Sequence, residues 1–421
     1  MEGMCIFAYG FKYNRRSMSA EYIKRPIYID RIKPFIGKQI IKVLTGQRRV
    51  GKSYILLQLI DEIKLLHPDA NIVYINLELH EFDSIRTHTS LYEYIDAKLI
   101  PAKQNFLLID EVQEVKSFEL CLRSLLAETK CDIICTGSNA KMLSGELATT
   151  LSGRYIQFPV YSLSYTEFIG FHKIVNSNES LVQYLKLGGM PYLVHTGLDP
   201  DVVFEYLKNV NSTILLKDVV ARENIRNVSF LENLTAFLAD NTGSLLSALN
   251  ISKYLKSQQQ NVPTQTVLNY LHALTNAFYV HKVQRANVNG LKIFEVGEKY
   301  YFEDLGLRNA IRSFDYRSDV SKLMENAVYL QLKRNNFNVF VGKIGDKEID
   351  FMAERNGERI YLQVTYMLFD QKTIDREFGN LMSIDDNYPK YVVTMDEISA
   401  GSDFKGILQI HLREFLTNTL N

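Results

Sequence analysis

Residues 42–60 read KVLTGQRRVGKSYILLQLI. An apolar run stops at Gly46, passes Gln47, Arg48, Arg49 and Val50, meets Gly51, and continues through Lys52 and Ser53 into a greasy segment. The eight residues satisfy G-x-x-x-x-G-K-[ST], a pattern built for anion capture. Glycines let the main chain curl until its N–H groups point inward at phosphate oxygens. The start of the next helix adds positive potential. Lys52 would reach the β- and γ-phosphates, and the Ser53 hydroxyl would ligate Mg2+. The surroundings agree. IIKVL ahead is apolar and β-branched, as a buried parallel strand should be, and SYILLQLIDEIKLL behind reads as a helix. Arg48 and Arg49 could touch phosphate, meet a partner or stand in water. The expected ligand is ATP with Mg2+, although such a loop reads phosphates and leaves the base unspecified.

A phosphate loop needs a carboxylate on the metal side. Asp110, 58 residues beyond Lys52, ends the apolar part of NFLLIDEVQEV. Four apolar residues carry it to the C-terminal end of a strand, beside the loop in a doubly wound sheet. Asp110 would hold Mg2+, and Glu111 would orient and deprotonate the attacking water. The next strand, CDIICTGSN, ends in Ser138 and Asn139. A polar side chain there senses the γ-phosphate or positions the water, or caps a helix made by AKMLSGELA. Arg154, in LSGRY, is the candidate cation for transition-state charge. It would act in its own subunit or, in a homo-oligomer, in a neighbour's; the rival reading is a surface ion pair.

The runs TGQRRVGKS, LIDEVQ, TGSNAKMLSGELATTLSGRY, YSLSYTEF and GGMPYLV, in that order, resemble prokaryotic AAA-type ATPases with a C-terminal domain of unknown function. The resemblance extends from about Ile27 to the C-terminus. It implies an α/β fold: a P-loop core with a parallel sheet over 27–171, a helical connector over 172–229, a winged-helix module over 230–315, and a small domain similar to restriction-endonuclease folds over 316–421. Residues 1–26 are expected to be a loose leader.

SLLSALNISKYLKSQQQNVPTQTVLNYLHALTNAF reads independently as helix, turn, helix. Val267, Tyr270, Leu271, Leu274 and Phe278 form the buried stripe of its second helix. YVHKVQ and KIFEVGEKYYFED are candidate wing strands around Asn289-Gly290. The outward face of the second helix offers Thr266, Asn269 and Asn276, with no lysine or arginine. Base-specific reading is therefore expected to be weak. The module either meets DNA by shape and phosphate contact or docks against protein.

In KEIDFMAERNGERIYLQVTYML, Asn356-Gly357 is a two-residue hairpin signal. Folding about it pairs Arg355 with Glu358, Ala353 with Ile360, Phe351 with Leu362 and Asp350 with Gln363. Asp350, Gln363 and Thr365 then share one face. A restriction-type nuclease places there an Asp, then Glu-x-Lys, with a Glu from a preceding helix, to hold Mg2+. Asp350 and Glu325 match. Gln363-Val364-Thr365 does not, so the site is expected to be degenerate, its fold kept for packing or binding.

The chain has 421 residues, too many for one ordinary core. Lys+Arg and Asp+Glu both number 48, so no global field steers it toward DNA or anionic lipid. No apolar run is long enough for a bilayer. Four cysteines show no metal-ligand spacing, which fits a reduced cytoplasm. The expectation is a Mg-dependent ATPase, a switch or motor coupling ATP to nucleic-acid engagement by its C-terminal modules. A nucleotide-controlled protein-interaction switch is the rival, and an active metal-dependent nuclease stands third.

Overall fold

Five short segments, Ile41–Thr45 (β1), Asn71–Asn76 (β2), Asn105–Asp110 (β3), Asp132–Gly137 (β4) and Tyr155–Pro159 (β5), pair in the order β2-β3-β4-β1-β5, every pair parallel. The computed structural model describes residues 22–140, 150–290, 293–312, 314–368, 371–397 and 400–418. Every residue of β1 and β3 is buried, as central strands covered on both faces require. Helices α1 (Pro26–Ile32), α2 (Lys52–Leu66), α3 (His88–Asp96) and α4 (Phe118–Ala127) supply the covers. Ile55, Leu56 and Leu59 of α2 pack with Leu44 and Leu108 on one face, and Leu122 and Leu125 of α4 with Val43 and Ile109 on the other. The α/β parallel-sheet expectation holds, with one refinement. β4 intervenes between β1 and β3, so the strand bearing Asp110 is not the loop strand's neighbour.

The expected leader ends too late. Residues 1–21 lie outside the described residues, but Arg25 is only 2% exposed. Its guanidinium donates to both Glu167 carboxylate oxygens, at 2.7 and 2.8 Å, and to the Val50 carbonyl at 2.8 Å. A buried arginine stays only where its charge and N–H groups are matched, so this segment is locked to the phosphate loop.

A helical stretch follows: α5 (Tyr165–His172), α6 (Asn178–Leu187), α7 (Pro200–Thr213), which runs into a π-helical segment over Ile214–Ala221, then α8 (Val228–Asp240), α9 (Ala248–Ser257) and α10 (Thr264–Asn276). Helices α9 and α10 match the helix, turn, helix reading, and Val267, Tyr270, Leu271 and Leu274 are buried as expected. Asn276 is not on the outward face; it is 6% exposed and turned inward.

The two candidate wing strands form, as β6 (Val280–Asn287) and β7 (Ile293–Phe302), and pair antiparallel. They do not stand apart. After α11 (Leu305–Ile311) and α12 (Tyr316–Arg334), β8 (Asn338–Ile344) pairs parallel with β6. β9 (Lys347–Arg355), β10 (Glu358–Val364), α13 (Gln371–Met382), β11 (Lys390–Thr394), β12 (Asp403–Phe404), β13 (Ile407–His411) and α14 (Leu412–Thr417) complete the chain. One eight-stranded sheet results, in the order β12-β13-β11-β10-β9-β8-β6-β7. The expected boundary between 315 and 316 therefore divides strands of a single hydrogen-bonded sheet. The β9–β10 register is the one the turn dictates, with Arg355 opposite Glu358, Ala353 opposite Ile360 and Phe351 opposite Leu362. Asn356 and Gly357 both take positive φ, 52° and 87°, as a type I′ turn needs. Among the described residues no helix is long and apolar enough to cross a membrane.

The two sheets are tied through the GGMPYLV stretch. The Gly189 N–H donates to Asp304 Oδ2 at 2.7 Å, and the Gly189 carbonyl accepts from the Leu163 N–H at 2.7 Å. Gly306 packs so closely that a Cβ there would lie 2.0 Å from the Leu187 carbonyl oxygen. Two backbones cannot both yield, so Gly306→Ala is expected to lower stability by about 3 kcal/mol or more. Urea unfolding checks this; a loss under about 1 kcal/mol would show that the junction is compliant.

Candidate phosphate-binding site

β1 delivers the chain to Gly46, whose φ is 153°. A Cβ there would sit 2.1 Å from the Val160 carbonyl oxygen, so the loop needs glycine to pass that strand end. Arg49 and Gly51 also take positive φ, 72° and 96°, completing the curl before α2 begins at Lys52. The Lys52 side chain is almost wholly buried. Its Nζ donates to the carbonyls of Gly46 and Gln47, both at 3.0 Å, and lies 3.6 Å from Glu111 Oε1. Gln47 is fully buried, and neither end of its amide has a hydrogen-bond partner among the described residues. Such an unpaired group is costly, and a polar ligand in the loop would satisfy it.

β3 and β4 bring the acidic groups. Thr136 on β4 does two jobs: its hydroxyl donates to Asp110 Oδ1 at 2.5 Å and accepts from the Glu111 N–H at 2.9 Å. The Ser53 hydroxyl also bonds Asp110, so one loop residue and one strand-tip carboxylate meet. Burial pushes the Asp110 carboxyl up to about 6 against both bonds. Ser53 and Asp110 present two oxygens that could hold a divalent cation.

Glu111 follows in a left-handed conformation, φ 55°. Its Oε2 accepts from the Ser138 hydroxyl at 2.9 Å and from the Gln113 amide. Burial pushes its carboxyl up, but Lys52, Gln113, Arg48 and Ser138 together outweigh burial and hold it below the ordinary value. Glu111 is thus an anchored anion, able to accept a proton.

Lys52, Ser53, Asp110, Glu111 and Ser138 come together as the sequence reading expects of such a loop. Asn139, the residue expected to sense phosphate, is buried beside them, but the hydroxyl on Glu111 is that of Ser138. Arg48 turns toward the helical segment, donating from Nε and Nη2 to Asp218 at 2.8 and 3.2 Å and from Nη1 to Glu78 at 3.0 Å. Arg49 is exposed.

Arg154 does not fit the own-subunit reading. It immediately precedes β5, whose Tyr155 lies opposite Ile41 while Pro159 lies opposite Thr45. In a parallel pair that puts Arg154 at the far end of the strand, roughly 16 Å from the loop edge. It is exposed there and does not serve the site of its own chain. The helix expected from AKMLSGELA lies, beyond Ala140, outside the described residues.

Thr136, Gln113, Asp218 and Arg222 also reach the groups of this site. Thr136 left a signal, a polar residue inside an apolar strand. Arg222, whose Nη1 donates to Ser138 Oγ at 3.0 Å, left none.

Asp350, Gln363 and Thr365 also gather on β9, β10 and the residue after it. The Asp350 N–H donates to Gln363 Oε1 at 2.7 Å, and Asp350 Oδ2 accepts from the Val364 N–H at 2.8 Å. Gln363 Nε2 donates to Glu377 Oε2 at 2.9 Å. Thr365 is buried, its N–H bonded to the Val393 carbonyl. Lys299 of β7 brings its Nζ to 2.8 Å from Glu325 Oε1, 2.9 Å from Glu348 Oε1 and 3.5 Å from Asp350 Oδ1.

An AAA-domain family model matches residues 38–169, and a model for a domain of unknown function (DUF8612) matches residues 178–318. An uncharacterised protein of Haemophilus influenzae is 34% identical over 385 residues, covering 90% of this chain and 94% of that protein. A second, from Methanocaldococcus jannaschii, is 28% identical over 343 residues, covering 78% and 75%. Among solved structures, a Walker-type ATPase of Pyrococcus abyssi shares the fold with a TM-score of 0.50 at 16% identity, over 69% of this chain and 96% of that one.

Proposed function

Because the chain belongs to the family of its Haemophilus influenzae relative and carries an AAA domain, we propose that it binds ATP with Mg2+ at the Gly46–Ser53 loop and hydrolyses it to drive a conformational switch. One observation carries the reading: Lys52, Ser53, Asp110, Glu111 and Ser138 converge on one curl of main chain. The loop N–H groups and Lys52 take the phosphates, Ser53 and Asp110 take Mg2+, and Glu111 orients and deprotonates water. The unpaired Gln47 amide supports a polar ligand there. The test is hydrolysis of Mg-ATP by the purified chain, abolished by EDTA; absence of both binding and turnover would overturn it.

One contact with the helical module supports the switch reading. The Ala140 N–H, just past the β4 tip, donates to the Asn276 carbonyl at 2.8 Å, and Asn276 Nδ2 donates to Glu223 at 3.3 Å. The last turn of α10 is thus fastened to the segment that follows Ser138. What α10 meets is nucleic acid in one reading, supported by its helix, turn, helix setting. The exposed residues of α10 include Gln265, Leu268, Asn269 and His272, with no lysine or arginine, and Leu249 and Tyr254 are exposed on α9. That face favours the second reading, a protein partner. We expect no saturable binding of duplex or single-stranded DNA at about 50 mM salt, with or without ATP. Binding whose affinity falls linearly with salt on a log–log scale would restore the nucleic-acid reading. The C-terminal face, with Gln363 and Thr365 in place of Glu-x-Lys, supports a retained nuclease-like fold without cleavage. Plasmid cut in Mg2+ or Mn2+ would reverse that.

A further inference from the structure

Ser138 Oγ has one proton and two lone pairs. It accepts from Arg222 Nη1 at 3.0 Å and from Gln113 Nε2 at 3.3 Å, and it lies 2.9 Å from Glu111 Oε2. With both lone pairs engaged by donors, the hydroxyl proton has one direction left, toward Glu111. Arg222 is itself held. Its Nη1 lies 3.2 Å from Asp218 Oδ1, one helical turn earlier, and its Nη2 lies 3.5 Å from Glu114. Asp218 is 2% exposed and also takes the Arg48 guanidinium on both oxygens. The Asp218 carboxylate thus clamps an arginine of the phosphate loop and an arginine of the helical module at once. It stands in the π-helical segment over Ile214–Ala221, a wide turn of the kind found at functional positions.

We propose that Arg222 is a positioning residue for hydrolysis, acting on Glu111 through the Ser138 hydroxyl, with Asp218 setting its place. The helical module then completes the catalytic carboxylate's environment from outside the sheet. Movement of the module away from β4 frees the Ser138 hydroxyl to rotate, and the carboxylate loses its fixed donor. Turnover is thereby conditional on the docking of that module, the same module whose α10 is fastened to Ala140.

The inference rests on Glu111 as the base, and Glu111→Gln tests that premise separately. If Glu111→Gln hydrolyses at the wild-type rate, the premise falls. If it does not, the double-mutant cycle of Arg222→Gln and Ser138→Ala decides on the full-length chain. Each single variant is expected to lower kcat for Mg-ATP about tenfold or more, with KM within about twofold. The double variant should be no slower than the slower single, because both remove the same bond. Arg222→Lys should recover part of kcat, and Asp218→Asn, which leaves Arg222 intact but unclamped, should lower it. Thermal unfolding of each variant separates a lost fold from a lost bond. Independent, multiplying losses in the cycle, or a rise in KM with kcat unchanged, would overturn the proposal. Those results would make Arg222 a direct phosphate ligand or a packing residue.

Discussion

Glu111→Gln will hold ATP at least as tightly as the wild-type chain and turn it over roughly a hundredfold to ten-thousandfold more slowly. The substitution keeps volume and leaves an oxygen to accept from the Ser138 hydroxyl at the position now 2.9 Å away. It removes the basic oxygen and the negative charge 3.6 Å from Lys52 Nζ. Losing that charge frees the ammonium for phosphate, so affinity does not fall while proton abstraction does. Lys52→Ala separates the two effects. Its ammonium now bonds the Gly46 and Gln47 carbonyls inside the curl. Without it the phosphates lose the buried ammonium of the curl and Glu111 loses its nearest cation in the curl, so binding itself disappears. Filter binding with labelled nucleotide and single-turnover hydrolysis check both variants. Wild-type hydrolysis by Glu111→Gln would show that another group takes the proton.

The loop, the acidic strand tip and the C-terminal hairpin were legible because each is local. Gly46 to Ser53 specifies its own curl, the apolar run to Asp110 its own strand, and Asn356-Gly357 its own turn and register. Long-range relations were not legible. That β6 and β7 join the C-terminal sheet depends on a parallel pairing with β8 across more than fifty residues, and no periodicity records such a partner. Helical spacing puts Asn276 on the outward face but does not say what meets that face; its amide donates to Glu223 and its carbonyl accepts from the Ala140 N–H. The sequence leaves open whether Arg154 serves its own subunit, a neighbour or an ion pair, because it does not show that a parallel strand starts at the end of the sheet opposite the loop. Arg25 falls within the expected leader because nothing local marks its burial; its partner Glu167 is 142 residues away. On the C-terminal face Asp350, Gln363 and Thr365 were legible from the hairpin, but the Lys299 ammonium beside Asp350 comes from a strand expected to belong to a different module.

That ammonium makes the second large effect. Lys299→Met is expected to lower stability by about 2–3 kcal/mol at neutral pH, because it leaves the half-buried Glu325 and Asp350, and the more exposed Glu348, without their buried cation. The Lys299 side chain is 3% exposed, with Glu325 and Glu348 within 2.9 Å and Asp350 at 3.5 Å. Burial alone would favour the neutral amine; Glu325, Asp350 and Glu348 outweigh it and hold Lys299 charged, above the ordinary lysine value. The same burial pushes the Glu325 carboxyl up to about 7 even with Lys299 opposing it and Asp350 reinforcing it. Removing Lys299 takes away the opposing influence, so Glu325 rises further. A carboxyl with a raised folded value keeps its proton in the folded chain after the unfolded chain has released it. Folding is then favoured at low pH, and that advantage is lost as pH rises through the folded value. The deficit of Lys299→Met should accordingly be smallest at about pH 7 and below, where Glu325 keeps its proton in both folded chains, and widen above it. Adding Glu325→Gln should recover part of the loss at neutral pH, since it deletes the least tolerable charge, although its amide then meets the Tyr301 hydroxyl now 2.5 Å from Glu325 Oε1. Denaturant unfolding at two pH values reads all three quantities. A Lys299→Met chain as stable as the wild type would mean that the carboxylates are solvated or protonated already, and that Lys299 does not hold this face together.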